Sequence, residues 1–223
     1  MKTISVFDII GPNMIGPSSS HTAGALRIAH LARSMVKGQV TEVKFILYGS
    51  FAQTYQGHGT DKALVAGILG FDTEDYRIKA SLDLAKEAGL KYTFDINTKQ
   101  KQEHPNTVDI ILTDQKGELT QVKGISIGGA RAVIKEINGV EINFTGEYHT
   151  IIIKQKDLPG VIAGVSKILS DHNINIAFMK LYRETKGSNA YTIIEADEPI
   201  DRDVVDQIER LSNVSKAMLI SKF

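Results

Sequence analysis

Apolar positions recur in two rhythms along the chain, and each change of rhythm marks a predicted element. After residue 24, Ile28, Leu31, Ala32 and Met35 recur at helical spacing, with Arg27, His30, Ser34 and Lys37 between them. This predicts an amphipathic helix whose solvated face includes His30. Residues 42–49 then alternate, with Val43, Phe45 and Leu47 on one side, and read as a half-buried strand. The glycine-rich polar stretch GSFAQTYQGHGTD is predicted as a loop. It leads into a short helix with Leu64, Val65, Ile68 and Leu69 inward and Gly70 at its end. A charged amphipathic helix is expected over 74–89, with strands over 91–96, 107–113 and 119–127. Around Asn138-Gly139 the apolar residues of VIKEI and VEINF flank a two-residue turn that favours positive φ at both positions, which predicts a hairpin.

From residue 148 the pattern becomes strand, helix, two strands separated by TKGSN, a second helix and a final strand. The order β-α-β-β-α-β predicts a ferredoxin-like unit, a four-stranded antiparallel sheet covered on one side by two helices. Val204, Ile208 and Leu211 supply the covered face of its second helix. The fold class is therefore α+β, with two domains expected over 1–146 and 147–223 and a boundary near FTGEYH.

Composition narrows the function. The 26 basic residues balance the 26 acidic ones, so the footprint of a dedicated nucleic-acid or anionic-membrane binder is missing, and neither is expected as a partner. No stretch approaches the roughly 18 apolar residues of a membrane span, and MKTISVFDIIGP lacks a cleavage site, so a cytoplasmic protein is expected. The chain has no cysteine. That excludes disulfides, thiolate nucleophiles and cysteine-ligated zinc or iron–sulfur clusters within it, and no metal ligands are expected here.

Three polar segments could carry chemistry. Ser18, Ser19, Ser20, His21 and Thr22 stand directly before the first helix, where unpaired N–H groups and the macrodipole favour a carboxylate. Hydroxyls and an imidazole there can donate to it, although capping alone accounts for one such residue. The Gly-Lys-Ser/Thr ending of a nucleotide loop is missing. In GHGTD, glycines on both sides leave His58 unshielded as a potential general base, with Thr60 and Asp61 suited to a helix N-terminus; a surface histidine beside a cap is the plainer alternative. EHPNT offers His104, Asn106 and Thr107, the proline pushing His104 toward extended backbone. A Ser20–His58–Asp61 hydrolase is disfavoured, because no Gly-x-Ser-x-Gly elbow is present and three adjacent serines single out no nucleophile.

GPSSSHT at 16–22, LYGSFAQTYQGHGTDKALVAGILGF at 47–71 and HPNT at 104–107 together resemble the β chain of the bacterial iron–sulfur-dependent L-serine dehydratase, or L-serine ammonia-lyase. The resemblance covers about residues 1 to 145, and the remainder resembles an ACT domain. It implies a lyase, inactive without a cysteine-bearing α chain whose cysteines ligate a [4Fe–4S] cluster; the absence of cysteine here agrees with a separate β chain. The implied reaction removes water from L-serine to give aminoacrylate, then pyruvate and ammonia, with a cluster iron acting as Lewis acid on the leaving hydroxyl. His58 is the implied base, Ser18, Ser19, Ser20, His21 and Thr22 grip the carboxylate or amino group, and Asp61, His104, Asn106 and Thr107 lie nearby.

The sequence departs from the family at Tyr55-Gln56-Gly57-His58, where a lysine between two glycines is expected, and GISIGGA (124–130) is only approximate. For the ACT-like part the resemblance implies a homotypic contact between ACT domains, with either an amino-acid effector where two copies meet or dimerisation alone. The candidate effector residues are Asp157, Gly160, Val161, Asn173 and Asn175. A related domain in some phosphoglycerate dehydrogenases binds an effector, so the competing expectation is a non-catalytic, amino-acid-sensing regulatory protein.

Overall fold

The computed structural model describes residues 13–220. The chain forms two units, one ending at Gly139 and the other beginning at Val140, and its composition is mixed α+β, as the pattern predicted. A π-helical turn, Ser19–Ala23, runs directly into α1, Gly24–Ser34. Then follow β1 (Val40–Tyr48), α2 (Gly49–Thr54), α3 (Thr60–Ile68), a 3₁₀ turn (Tyr76–Ala80), α4 (Ser81–Glu87), β2 (Lys91–Asn97), β3 (Thr107–Asp114), β4 (Leu119–Gly128), β5 (Arg131–Ile137) and β6 (Val140–Phe144). The sheet order is β2-β1-β3-β4-β5-β6. β1 pairs with β2 in parallel, whereas β1–β3, β3–β4 and β4–β5 are antiparallel. The turn between β5 and β6 has φ of 49° at Asn138 and 82° at Gly139, the positive pair expected of a tight hairpin.

Period-2 alternation gives this sheet two unlike faces. Register places Val43, Phe45 and Leu47 beside Leu112, Ile110 and Val108, and Ile110 beside Val122, all fully buried. The neighbouring Gly124 on the same face lies so close to Ile28 of α1 that a Cβ there would collide with it. The opposite face carries a polar row. The Tyr48 hydroxyl donates to Asp109 at 2.8 Å, Lys123 approaches Asp109 at 4.0 Å, and Lys123 bonds Glu136 at 3.0 Å. Burial pushes both the Tyr48 phenol and the Asp109 carboxyl up, and the hydrogen bond from Tyr48 only partly offsets the shift at Asp109.

α1 is not the half-solvated helix that its pattern predicted. Ala25, Leu26, Ile28, Ala29, Leu31 and Ala32 are all buried, because α3 covers the side that the sheet leaves open. The two helices approach at Gly67, where a Cβ would lie 2.7 Å from Ala29 Cβ, 2.9 Å from the His30 backbone nitrogen and closer still to the Leu26 carbonyl oxygen. His30, expected in solvent, is half-buried beside this contact, and burial lowers its pKa from 6.5. Two further expectations shift. Residues 49–54 are helical rather than loop, and the helix expected over 74–89 is a 3₁₀ turn followed by α4. Asp75 begins that turn by accepting from the Arg77 backbone N–H, and the buried Ser81 hydroxyl donates to the Lys62 carbonyl at 2.7 Å, which fixes the chain at the junction.

After β6, the second unit continues with β7 (His149–Lys156), α5 (Val161–Asp171), β8 (Ile176–Arg183), β9 (Asn189–Ala196), α6 (Arg202–Glu209) and β10 (Val214–Ile220). Its antiparallel sheet has the order β10-β7-β9-β8, so the first strand lies centrally beside the last. This is the predicted ferredoxin-like unit. Ile151, Ile153, Ile194 and Ala217 of the sheet pack against Val165 and Leu169 of α5 and Val204, Val205 and Ile208 of α6, with Leu211 partly buried at the margin.

Two predictions follow from this packing. Gly67→Ala improves helix propensity by about 1 kcal/mol, but two of the three obstructing atoms are backbone and cannot move aside. The overpacking cost therefore sits high in the roughly 1–3 kcal/mol range. The urea midpoint should fall with an unchanged m value, by a net loss of about 1–2 kcal/mol. His30 resists protonation when folded, so the unfolded chain binds the extra proton as pH falls below 6.5. Stability should fall with pH in that range, and His30→Gln should flatten the slope in denaturant titrations.

Candidate active site at the head of the first helix

Ser18 has extended backbone (φ −143°, ψ 125°) and its side chain caps the helix head, Oγ accepting from the His21 N–H at 3.1 Å. The Thr22 and Ala23 N–H groups both reach the Ser18 carbonyl, at 2.9 and 3.4 Å. This wider turn places the polar residues inside the helix head rather than in a loop before it, and such π turns concentrate at functional sites. Its side chains divide the labour. The imidazole of His21 meets Ser20 Oγ at Nδ1 (3.0 Å) and Ser50 Oγ at Nε2 (2.9 Å), with the edge of Phe51 packed against it. Burial first, and the neighbouring His58 second, lower the His21 pKa. The Ser19 carbonyl accepts from the Gly24 N–H. Thr22 is 2% exposed and its hydroxyl donates to the His58 carbonyl at 2.9 Å, so that hydroxyl is occupied in joining two segments.

His58 stands 4.9 Å from His21, ring centre to ring centre. Residues 54–60 are wound by bonds from the His58 N–H to the Thr54 carbonyl and from the Thr60 N–H to the Tyr55 carbonyl, and left-handed Gly59 then starts α3. His58 Nδ1 is buried without a hydrogen-bond partner. Asp61, in the first turn of α3, is largely buried; its carboxylate accepts from the Lys62 N–H at 2.8 Å and burial raises its pKa. Among the described residues, no bond joins Ser20, His58 and Asp61 into a hydrolase relay, because Ser20 bonds His21 instead.

The third segment arrives through a close backbone approach. The Ser50 N–H donates to the Pro105 carbonyl at 2.7 Å, and a Cβ on Gly49 (φ 52°) would stand 2.5 Å from that same oxygen. Only glycine fits both the conformation and the space. His104 Nδ1 accepts from the Asn106 N–H, the Thr107 hydroxyl donates to the His104 carbonyl, and the Asn106 amide donates to the Ser126 carbonyl. These bonds shape the segment and tie it to β4.

All three sequence motifs thus converge on the head of α1. Ser50 and Ser126 were not among the expected residues. Ser50 lies within the quoted LYGSF stretch, but reading 49–54 as loop gave no reason to select it; Ser126, fully buried with an unpartnered hydroxyl beside Gly24, falls within the approximate GISIGGA stretch.

In the second unit the effector candidates separate. Asp157, Gly160 and Val161 precede or open α5, whereas Asn173 and Asn175 follow it. Eleven residues of α-helix span about 16 Å, so one copy does not gather the five. The Asp157 carboxylate already accepts from Arg183 and the Gly187 N–H, which holds it below the usual carboxylate range. Asn175 is bound to Asp197 and Glu198.

The donor set does not suit an iron–sulfur cluster. The chain has no thiolate to offer, and among the described residues no three or more His, Asp or Glu side chains assemble a metal site. No helix among them is long and apolar enough to cross a membrane.

A hydroxyl-and-imidazole cluster at a helix head, in an α+β unit followed by a ferredoxin-like unit, defines the structural class. Residues 5–137 match the family model of the serine dehydratase beta chain, and residues 149–213 match the ACT domain model. The chain belongs to the serine dehydratase β-chain family. It is 44% identical to the probable L-serine dehydratase beta chain of Bacillus subtilis (strain 168), over 99% of this chain and all of that one. It is 45% identical to the L-serine dehydratase beta chain of Peptoniphilus asaccharolyticus, covering 93% of this chain and 94% of that one. A D-3-phosphoglycerate dehydrogenase of Bacillus subtilis is 28% identical over 87% of this chain but only 37% of its own length.

Thr22→Val keeps the side chain's shape but leaves the His58 carbonyl without its donor. It should cost about 1 kcal/mol and loosen residues 55–60, read as faster amide exchange at His58 and Thr60 while the strands remain protected.

Proposed function

We propose that this chain is the β subunit of an L-serine dehydratase, and that a cysteine-bearing α chain completes the active site. The observation that most supports this reading is the convergence on one helix head of two segments carrying five hydroxyl or imidazole side chains (Ser18, Ser20 and His21 from the first, Ser50 and His58 from the second). A helix head attracts a carboxylate through its N–H groups and partial positive charge, so the backbone of Ser18, Ser19 and Ser20, with the Ser19 hydroxyl, takes the carboxylate of L-serine. His58, with a buried and unpartnered Nδ1, takes the α-proton. The C–H electron pair forms the new double bond and hydroxide leaves from the β-carbon; together with the proton it makes the water lost. The resulting aminoacrylate tautomerises to the imine, which water hydrolyses to pyruvate and ammonia.

His21 and Thr22 support this arrangement from behind. The [4Fe–4S] cluster belongs wholly to the α chain in this proposal, since this chain has no cysteine. The ACT unit is proposed to bind an amino acid at the residues around Gly160. Because Asn173 and Asn175 lie at the other end of α5, a site using both sets takes them from two copies.

The test is anaerobic pyruvate formation from L-serine by this chain alone, by the α chain alone, and by the two together with the cluster reconstituted. Turnover is expected only in the mixture, and His58→Gln should lower it by roughly 100-fold or more with the cluster absorbance unchanged. Full turnover in that variant would remove His58 from the reaction. A silent mixture, with calorimetric binding of L-serine to this chain, would instead support the sensing role.

A further inference from the structure

We infer that Ser50, acting with Ser20, is a positioning residue that holds His21 as the neutral Nε2–H tautomer beside His58. His21 meets a hydroxyl at each ring nitrogen, Ser20 at 3.0 Å and Ser50 at 2.9 Å. A hydroxyl can donate or accept, so these two contacts alone allow either tautomer. The direction is set one residue group further back. Ser18 Oγ already receives the His21 backbone N–H at 3.1 Å and lies 3.4 Å from Ser20 Oγ. Ser18 Oγ also lies 3.5 Å from Nδ1, so whichever of these two neighbours takes its proton, the donation ends on Nδ1, directly or by way of Ser20, and Nε2 is left as the donor to Ser50.

The surroundings offer a cation nothing. The elements packed against the turn are α1, α2, α3 and β4, of which α2 carries no ionisable group. Their ionisable groups are Arg27, His30 and Arg33 on α1, Asp61 and Lys62 on α3, and Lys123 on β4. Asp61, the one carboxylate among them, is turned to the Lys62 N–H, and Arg27 donates to the Ala130 carbonyl. The group facing His21 is His58, at 4.9 Å. Burial and His58 both lower the His21 pKa, in agreement with the geometry. A neutral His21 leaves His58 without an adjacent positive charge, which a proton acceptor requires; that consequence rests on His58 being the base, whereas the tautomer does not.

The test is a long-range ¹H–¹⁵N imidazole spectrum of the full chain labelled at histidine, with the His21 signals identified by their loss in His21→Gln. From about pH 8 to about pH 5, where an ordinary histidine charges, His21 should keep the Nε2–H pattern. In Ser50→Ala it should lose that pattern and show both tautomers, whereas Ser50→Thr, which restores the hydroxyl, should behave as the parent. A parent spectrum with Nδ1–H at His21, or the same tautomer pattern in the parent and in Ser50→Ala, would overturn the inference. The parent spectrum is decisive even where a variant folds poorly. Loss of the Nε2–H pattern with His58-dependent turnover intact would sink this inference alone, whereas an intact pattern in a chain inactive with its partner would sink the dehydratase reading alone.

Discussion

The closeness of α1 to α3 is the constraint on which the first unit depends. At Gly67 the two backbones are nearer than any side chain permits, with the Leu26 carbonyl and the His30 nitrogen filling the space where a Cβ would stand. Interiors packed to crystal density transmit such a contact instead of absorbing it. With the helices fixed there, their leading ends lie side by side, and the Thr22 hydroxyl reaches the His58 carbonyl across the 36 residues that separate them in sequence. In the wide turn at Ser19–Ala23, ahead of this point, His21 reaches Ser50 while Ser18 serves as the cap.

A second set of restraints comes from the sheet. α2, with Ser50, begins where β1 ends, and the HPNT segment ends where β3 begins. The antiparallel pairing of β1 with β3 sets these two points next to each other. On the polar face of the sheet, the Tyr48–Asp109 bond joins the same strand ends one or two residues from the site. Burial pushes the pKa of both groups up, and the bond pairs them in a place where an unpaired polar group would be costly. The site thus rests on backbone geometry from one side and on a buried side-chain bond from the other.

Much of this was legible in the sequence, for reasons that can be stated. Alternation in EVKFILYG and the 4-residue spacing of Val204 and Ile208 report burial directly, and both elements formed as read. Asn138-Gly139 carries its turn chemistry in two residues. What failed were the positions whose burial depends on a distant element. His30 looks solvated when only its own helix is considered; α3 buries it. Residues 49–54 lack the length to show helical periodicity, and the bond from Ser50 to Pro105, over fifty residues away, holds their start. The same blindness hid Ser50 itself. The three serines and His21 were visible as a polar cluster, but the division of labour among them, with Thr22 facing inward to His58 and Ser18 serving as cap, depends on a π turn that no local pattern signals.

The polar atoms left without partners show where each unit departs from what stability alone would select. A buried polar atom with no hydrogen bond costs roughly 1–3 kcal/mol, and native folds keep few of them. In the first unit Thr60 Oγ1, Ser126 Oγ and His58 Nδ1 are all buried in this state. Thr60 opens α3, Ser126 abuts Gly24 at the head of α1, and His58 faces His21, so these three border the converging segments, whereas Asp109 Oδ1, likewise without a hydrogen bond, lies in the sheet. The sheet beneath them, with Val108, Ile110, Leu112 and Val122 fully buried, offers ample apolar packing to offset the cost. These three atoms therefore collect along segments whose backbones are already fixed, by the Thr22–His58 bond at one point and the Ser50–Pro105 bond at another.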